Sequence, residues 1–543
     1  MPGKFFYIRF KEYTQKADWD LLIFLLLFMN VKLVVKLLGL LYIYARRFNF
    51  SFRFSLNPSG DTWFYPVMII IAVLDYFVFG LYRQSNYPFV FLFGIGLWLG
   101  CILALHQVRL AVKQGETEKL HNAVTAFLLI NALASFAVLG KIMLETGALN
   151  PYRYQGNYQK YFISTGDYIK GITFDTSTTN AVFNALGVMY FLFRKKYAGV
   201  LLCMSVLLMT CSNTTNLLLL VCLLYVFIFR SNKEQKTVIV VCFAFLVIFL
   251  TNVTPQNNRY SVNIFERAMG KTTIGKKEER PIRITERADS TLGSEEKKEK
   301  KAQLYLDSIA SVEKITAVRK YIKKSDTIRY PAKVNIHAPE YQHRPDSSEG
   351  RMQAIGYLQA MEKEAGEPIV TFDSLQKRET RIGKLVAYKQ LFLFFRNHPL
   401  YAIAGTGTGN FSSKVAFRAS GLKIMGGYPA RYVYMSDYFK KNHFTVYLDF
   451  FAKDSGYHSI VNLPNSVYAQ LLGEYGLFGL VAFFVLYLGY FFKLRYTYTY
   501  GIPVLLFVAG CLFMDYWVEQ LSIVVFFELL LFLDLKNVVK KDE

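Results

Sequence analysis

Apolar residues along the chain fall in blocks of about twenty, separated by short polar or basic runs, and this spacing predicts membrane-crossing helices. At roughly 1.5 Å per residue, such a block spans the ~30 Å hydrocarbon layer of a bilayer. The blocks lie at 21–44, 63–82, 87–107, 122–144, 178–193, 197–212, 214–229, 237–252, 466–492, 502–515 and 517–533. The expected fold class is an all-α polytopic integral membrane protein with about 11–12 transmembrane helices, since only helices satisfy their own backbone in lipid. Block 21–44 is the irregular one. Lys32 and Lys36 interrupt it, so it reads as tilted, re-entrant or paired with an interfacial N-terminal helix carrying Phe5, Phe6, Tyr7 and Phe10.

Basic residues in the short loops set the expected sidedness. Arg46, Arg47 and Arg53 share one loop, and Arg109, Lys113 and Lys119 another. Arg194, Lys195 and Lys196, then Arg230, Lys233 and Lys236, then Lys493 and Arg495 continue the series, joined by the tail with Lys536, Lys540 and Lys541. Counting crossings puts all of them in the cytoplasm, and puts 145–177 and 253–465 outside. The N-terminus conflicts with that count. Eleven crossings place it outside, whereas Lys4, Arg9, Lys11 and Lys16 argue for the cytoplasm. No cleavable signal peptide is expected, because the apolar run starts late and lacks a small-residue cleavage site. The expected organisation is 1–62 (N-terminal segment and first span), 63–252 (a membrane bundle with outer loop 145–177), 253–380 (a polar insertion), 381–465 (a basic outer segment) and 466–543 (a second bundle and tail).

Composition sharpens this. The 543 residues include 63 Lys+Arg against 40 Asp+Glu, a formal charge of +23, yet 53% are hydrophobic and 17% aromatic. Disordered or soluble basic proteins do not combine these values, so the charge does not signal nucleic-acid binding. Residues 254–380 hold 24 basic and 19 acidic residues, with the run EEKKEKK at 295–301, and read as solvated helix and linker. Residues 381–465 hold 11 basic against three acidic, an excess of +8 on the side where the positive-inside rule predicts none. All six cysteines sit inside apolar blocks, so no disulfide framework is implied.

Candidate chemistry gathers in the outer segments, since loops on a rigid scaffold carry function. Segment 152–180 combines aromatics with Arg153, Lys160 and Lys170, then Asp175 and the hydroxyl run 176–180. The hydroxyls suit a helix N-cap; the aromatic and basic rim suits sugar faces and phosphate. Stretch 381–401 predicts an amphipathic helix with Lys384, Lys389 and Arg396 snorkelling and Arg381 at its start. GTGTGN at 405–410 is either a tight turn or a backbone nest for phosphate. Lys414 and Arg418 follow at i,i+4, on one helical face. His443 reads as a solvated loop histidine. His458, just upstream of block 466–492, suits a proton acceptor. Asn465 or Ser466 caps the following helix, which carries Tyr468, Gln470 and Glu474. CSNTTN at 211–216, with Asn213, marks one break between spans; Asp515 and Glu519 mark another.

The pattern resembles the O-antigen ligase and O-antigen polymerase superfamily of bacterial envelope glycosyltransferases. Stretch 464–492 is similar to the family's H-N-x-Y-L-Q-x-L-x-E-x-G-x-x-G. Arg381 followed by NHPL and GTGTGNF resembles its Arg, h-P-L and G-x-G-x-F, and MTCSNTTN resembles L-T-x-S-R. Together they cover roughly 170–495. The motif histidine aligns with Asn465, leaving His458, seven residues earlier, as its substitute; Ser-Arg becomes Ser212-Asn213; and 254–380 is a larger insertion than the pattern requires. The resemblance implies a C-type membrane glycosyltransferase with one large periplasmic segment between two helix bundles. It would act at the periplasmic face of the bacterial inner membrane. It would move a glycan from an undecaprenyl-diphosphate carrier to a glycan, lipid A-core or protein acceptor, with no metal and no cofactor. Arg381, Lys414, Arg418 and Arg153 would neutralise the diphosphate. His458, then Asp175, would be the base, and Asn465, Tyr468, Gln470 and Asn213 would orient substrate. A transporter or lipid-glycan flippase is the alternative, and an envelope scaffold binding through 254–380 a further one.

Overall fold

The computed structural model describes residues 16–58, 60–153, 166–254, 383–421, 427–452 and 463–542. Among them the chain is mostly helical, with one parallel strand pair, Phe54–Ser55 with Asp61–Thr62. The first bundle comprises α1 (Trp19–Phe28), α2 (Leu33–Arg46), α3 (Phe64–Val78), α4 (Tyr87–Gln114), α5 (Thr117–Thr146), α6 (Ser177–Phe193), α7 (Tyr197–Met209), α8 (Asn213–Phe229) and α9 (Lys233–Ile248). There follow α10 (Gly383–Asn397), α11 (Pro399–Ala404), α12 (Lys414–Ala419), α13 (Thr445–Ala452), α14 (Val467–Ala482), α15 (Gly501–Met514) and α16 (Leu521–Asp542). The insertion, from 255 onward, lies outside the described residues, as do Arg381 and His458.

Among the described residues, four helices are long and apolar enough to cross a membrane: α4, α5, α9 extended to Val253, and α14 extended to Phe492. Exposure supports a membrane-embedded chain. On α8, Leu219, Cys222, Leu223 and Val226 are buried in the bundle, while Leu217, Val221, Leu224 and Ile228 form a second apolar stripe more than half exposed. A helix apolar on both faces is stable where the outer face meets lipid rather than water.

The basic loops lie at one end of the bundle, tied to neighbouring segments. Arg109 grips Asp61 through Nε (2.8 Å) and Nη2 (2.7 Å), Arg194 reaches Glu118 (3.1 Å), and Arg230 donates to the Tyr498 carbonyl (2.9 Å). The Asp534 carboxylate collects the amides of Thr499, Tyr500 and Gly501, capping the start of α15 from another helix.

Block 21–44 is not a single crossing. It breaks at Met29–Lys32 into α1 and α2, which fold back on each other, with Gly39 against Leu27 and Phe28. Both ends of this hairpin meet: Arg47 pairs with Asp18 (2.8 Å) and Arg46 with Asp20 (3.0 Å). At the tip, Lys36 is buried and donates to the Phe28 carbonyl and to Ser522 Oγ, each at 2.7 Å. Lys36 thus supplies a donor to the open C-terminus of α1, which explains a lysine inside an apolar block. The chain enters and leaves the hairpin at the same end.

Helix α14 is also broken. Gly476 adopts φ 61°, ψ −159° inside it, which frees the carbonyls of Gly473 and Glu474 from the helical ladder. The GTGTG loop supplies the missing donors: Thr406 N–H to Gly473 O and Gly407 N–H to Glu474 O, both 3.0 Å. Gly405, at φ 86°, ψ −179°, lies against Gly476; a Cβ on either would meet a backbone oxygen at 2.3 Å. Both positions fall in backbone territory open essentially to glycine alone. Gly476→Ala should therefore cost at least about 2 kcal/mol. Gly96→Ala in α4, where a Cβ meets nothing within 4 Å, should be neutral or stabilising by about 0.5–1 kcal/mol. Thermal midpoints in detergent distinguish them, and equal midpoints would contradict the packing.

Candidate functional site

At the end opposite the basic loops, the repaired break in α14 positions a polar cluster. The loop leaving Gly409 turns into α12, capped by Ser413 Oγ accepting from the Ala416 amide (3.0 Å). That cap aims Lys414 and Arg418, one turn apart and both half-buried, at the turn between α15 and α16. Lys414 Nζ donates to Gln520 Oε1 (2.8 Å). Glu519 accepts from Gln470 Nε2 at 2.7 Å through one oxygen and from the Val415 amide at 3.1 Å through the other. Gln520 Nε2 donates to Thr179 Oγ1 (3.3 Å), which donates to Asp175 Oδ2 (2.9 Å). The heads of α6 and α14, the α15–α16 turn and α12 thus share one network. It contains three of the expected site residues, Asp175, Lys414 and Gln470, with Arg418 acting on Glu519 electrostatically. Burial pushes the Glu519 carboxyl up to about 7, against the pull of Arg418 and Lys414.

A second layer lies behind. Lys384, expected to snorkel, is fully buried and donates to the carbonyls of Asn465 and Met514, the latter at 2.8 Å. The open carbonyl end of α15 needs a donor, and that requirement overrides the amphipathic pattern. Burial lowers Lys384 to about 7, opposed by Asp515. Asn465 Nδ2 reaches Asp515 Oδ1 (3.4 Å). His443, read as a solvated loop histidine, is instead sealed among Phe417, Phe439 and Tyr516, its Nε2 2.5 Å from Tyr516 OH. Tyr516 also contacts Ser412 Oγ (3.1 Å).

Other expectations are redirected. Tyr468, expected to orient substrate, turns to α15 and donates to the Ala509 carbonyl (2.9 Å), a hydrogen bond that anchors helix to helix. Asn213 begins α8 beside a separate apolar cluster that includes Cys211, Tyr152 and Tyr168. Thr176 caps α6, accepting from the Thr179 amide (3.1 Å). Arg381, His458 and the side chain of Arg153 lie outside the described residues. The GTGTGN loop is not an open phosphate nest. Its amides serve the α14 carbonyls, and the amides of Phe411 (3.4 Å) and Ser412 (3.2 Å) are already taken by the Glu474 carboxyl.

Glu474 and Glu519 were given no role by sequence reasoning. Glu474 stood at i,i+4 from Gln470, and Glu519 marked a turn, but nothing in one dimension brought the two together. Three buried acceptors here have no donor: Asn465 Oδ1, Gln470 Oε1 and Glu474 Oε2. Among the described residues, no group of three or more His, Cys, Asp or Glu is placed to hold a metal ion. Two cations beside a half-buried carboxylate suit binding an anionic group next to a hydroxyl that loses a proton.

Burial lowers His443 from 6.5 to about 3. Unfolding therefore takes up a proton between those values, and the stability this site contributes is full above pH 6.5 and lost as pH falls towards 3. His443→Asn removes the titration. The thermal midpoint of the unsubstituted protein should fall towards that of the variant over this window, and parallel curves would contradict the assignment.

No protein-family model matches the chain, and neither the curated proteins nor the solved structures contain a match to it.

Proposed function

We propose that this protein is a membrane glycosyltransferase that transfers or polymerises a glycan from an undecaprenyl-diphosphate carrier. The observation that carries the reading is the Lys414–Arg418 pair, held one turn apart at the end away from the basic loops. A lipid diphosphate carries two or more negative charges, and cations in a partly desolvated site stabilise it as it leaves. The basic loops face the cytoplasm under the positive-inside rule, which puts this cluster at the periplasmic face of a bacterial inner membrane. Ten crossings and one hairpin then return both termini to the cytoplasm, in accord with Lys16 and Lys536. The acceptor is a glycan, lipid A-core or protein. Arg381 joins the site on the strength of the motif resemblance, with His458 as the stand-in for the motif histidine, and Arg153 joins as a fourth cation for the diphosphate.

A transporter or flippase is the second reading. The broken α14 and the α1–α2 hairpin favour it, since interrupted helices line many transport sites. Cells lacking the chromosomal copy and carrying Lys414→Gln or Arg418→Gln separate the two. A transferase loses at least about tenfold of its surface glycan per variant, while lipid-linked glycan accumulates at the periplasmic face. A flippase accumulates it at the cytoplasmic face. Normal glycan in both variants sinks the site.

A further inference from the structure

We propose that Glu519 is the proton acceptor of this site, and that Gln470 and a protonated Glu474 are the positioning pair behind it. The proposal rests on the glycosyltransferase reading and names the base within it.

Glu519 is half-buried, in the turn between α15 and α16, next to both cations. One oxygen takes the Gln470 amide at 2.7 Å and the other the Val415 amide at 3.1 Å. With the Lys414 amide donating as well, the two oxygens, which offer about four lone-pair sites between them, still leave one for a substrate hydroxyl. The competing groups are less well placed. Asp175 already accepts from Thr179 and is separated from Lys414 by Thr179 and Gln520. His443 is sealed at 1% exposure against Tyr516.

The state of Glu474 follows from two orphaned atoms. Its Oε1 accepts from the Phe411 and Ser412 amides, but Oε2 is buried without a partner. One turn earlier on the same helix, Gln470 has its Nε2 engaged by Glu519 while its buried Oε1 also lacks a partner. Residues spaced i,i+4 face each other, with about 6 Å between their Cβ atoms. Two acceptors without a donor are costly in a dry site. A proton on Glu474 Oε2 satisfies both at once, donating to Gln470 Oε1. The chain Glu474–Gln470–Glu519 then has one direction: Glu474 stays neutral and Glu519 is the carboxylate. The charged groups around Glu519 are then Arg418 and Lys414 from α12, with Asp515 at the start of the same turn.

The step balances. The acceptor hydroxyl oxygen bonds to the anomeric carbon, and its proton passes to Glu519. The bond from that carbon to the diphosphate oxygen breaks, and its electron pair leaves on the diphosphate beside Lys414 and Arg418. Glu519 returns the proton to water.

The test uses the full chain in lipid nanodiscs with a lipid-diphosphate-linked oligosaccharide and an acceptor sugar. Glu519→Gln should lower transfer by about 10²-fold or more while donor binding persists, and its residual rate should lose the acid limb of the pH profile. Glu474→Ala should abolish transfer, and Glu474→Gln, whose amide supplies the same donor, should restore it to within about threefold. Infrared spectra of the unsubstituted protein near neutral pH should show a protonated carboxylic C=O band that Glu474→Gln removes. Undiminished transfer by Glu519→Gln overturns the base. A Glu474→Gln variant as impaired as Glu474→Ala, or spectra without that band, overturns the positioning pair. No transfer by the unsubstituted protein from any such donor overturns the glycosyltransferase reading itself, while the infrared band still decides the state of Glu474.

Discussion

Backbone carbonyls cannot be left bare in an apolar interior, and the break at Gly476 leaves two of them. The Gly473 and Glu474 carbonyls find donors in Thr406 and Gly407, and the loop is held there by further bonds. Trp98 Nε1 (2.9 Å) and Thr408 Oγ1 (3.1 Å) both donate to Tyr475 OH, while Tyr87 donates to the Thr408 carbonyl (3.1 Å). Because the loop is fixed, the Phe411 and Ser412 amides meet Glu474, Ser413 caps α12, and Lys414 and Arg418 acquire their direction. The break that would weaken an isolated helix here orients the cations.

The same accounting explains the lysines inside or beside apolar segments. Lys36 serves the open end of α1, Lys384 that of α15, and Lys536 the carbonyls of Val112 and Gly115 near the end of α4. Each closes a helix terminus with a donor that also favours the negative end of the helix dipole. Lys414 differs: its partner is a side-chain amide, Gln520, which an anionic ligand can displace without undoing a helix end.

Much of this was legible in one dimension. Every apolar block became helix, because a run apolar on all faces has one stable form in lipid. The i,i+4 spacing of Lys414 and Arg418 gave their shared face, and the outer excess of +8 pointed to the segment that holds them. Other features were hidden for physical reasons. Block 21–44 has the length of a crossing, and its return depends on Asp18 meeting Arg47 across the hairpin. The break in α14 carries no signal in the sequence of its helix, since Gly476 matters only through the loop it touches. His443 and Lys384 look like surface residues until Tyr516 and the α15 terminus close over them. Glu519 pairs with Gln470 across 49 residues, a coupling no local pattern carries.

The six cysteines have a practical meaning that their packing role conceals. Cys101, Cys203, Cys211, Cys222, Cys242 and Cys511 are all buried within the helical bundle. A thiol without water access forms little thiolate and offers no approach to a polar reagent. The natural chain is therefore a silent background for membrane-impermeant maleimides. A single cysteine introduced at a loop position reports its own side of the bilayer, without first stripping the protein of its native thiols and disturbing the core they fill.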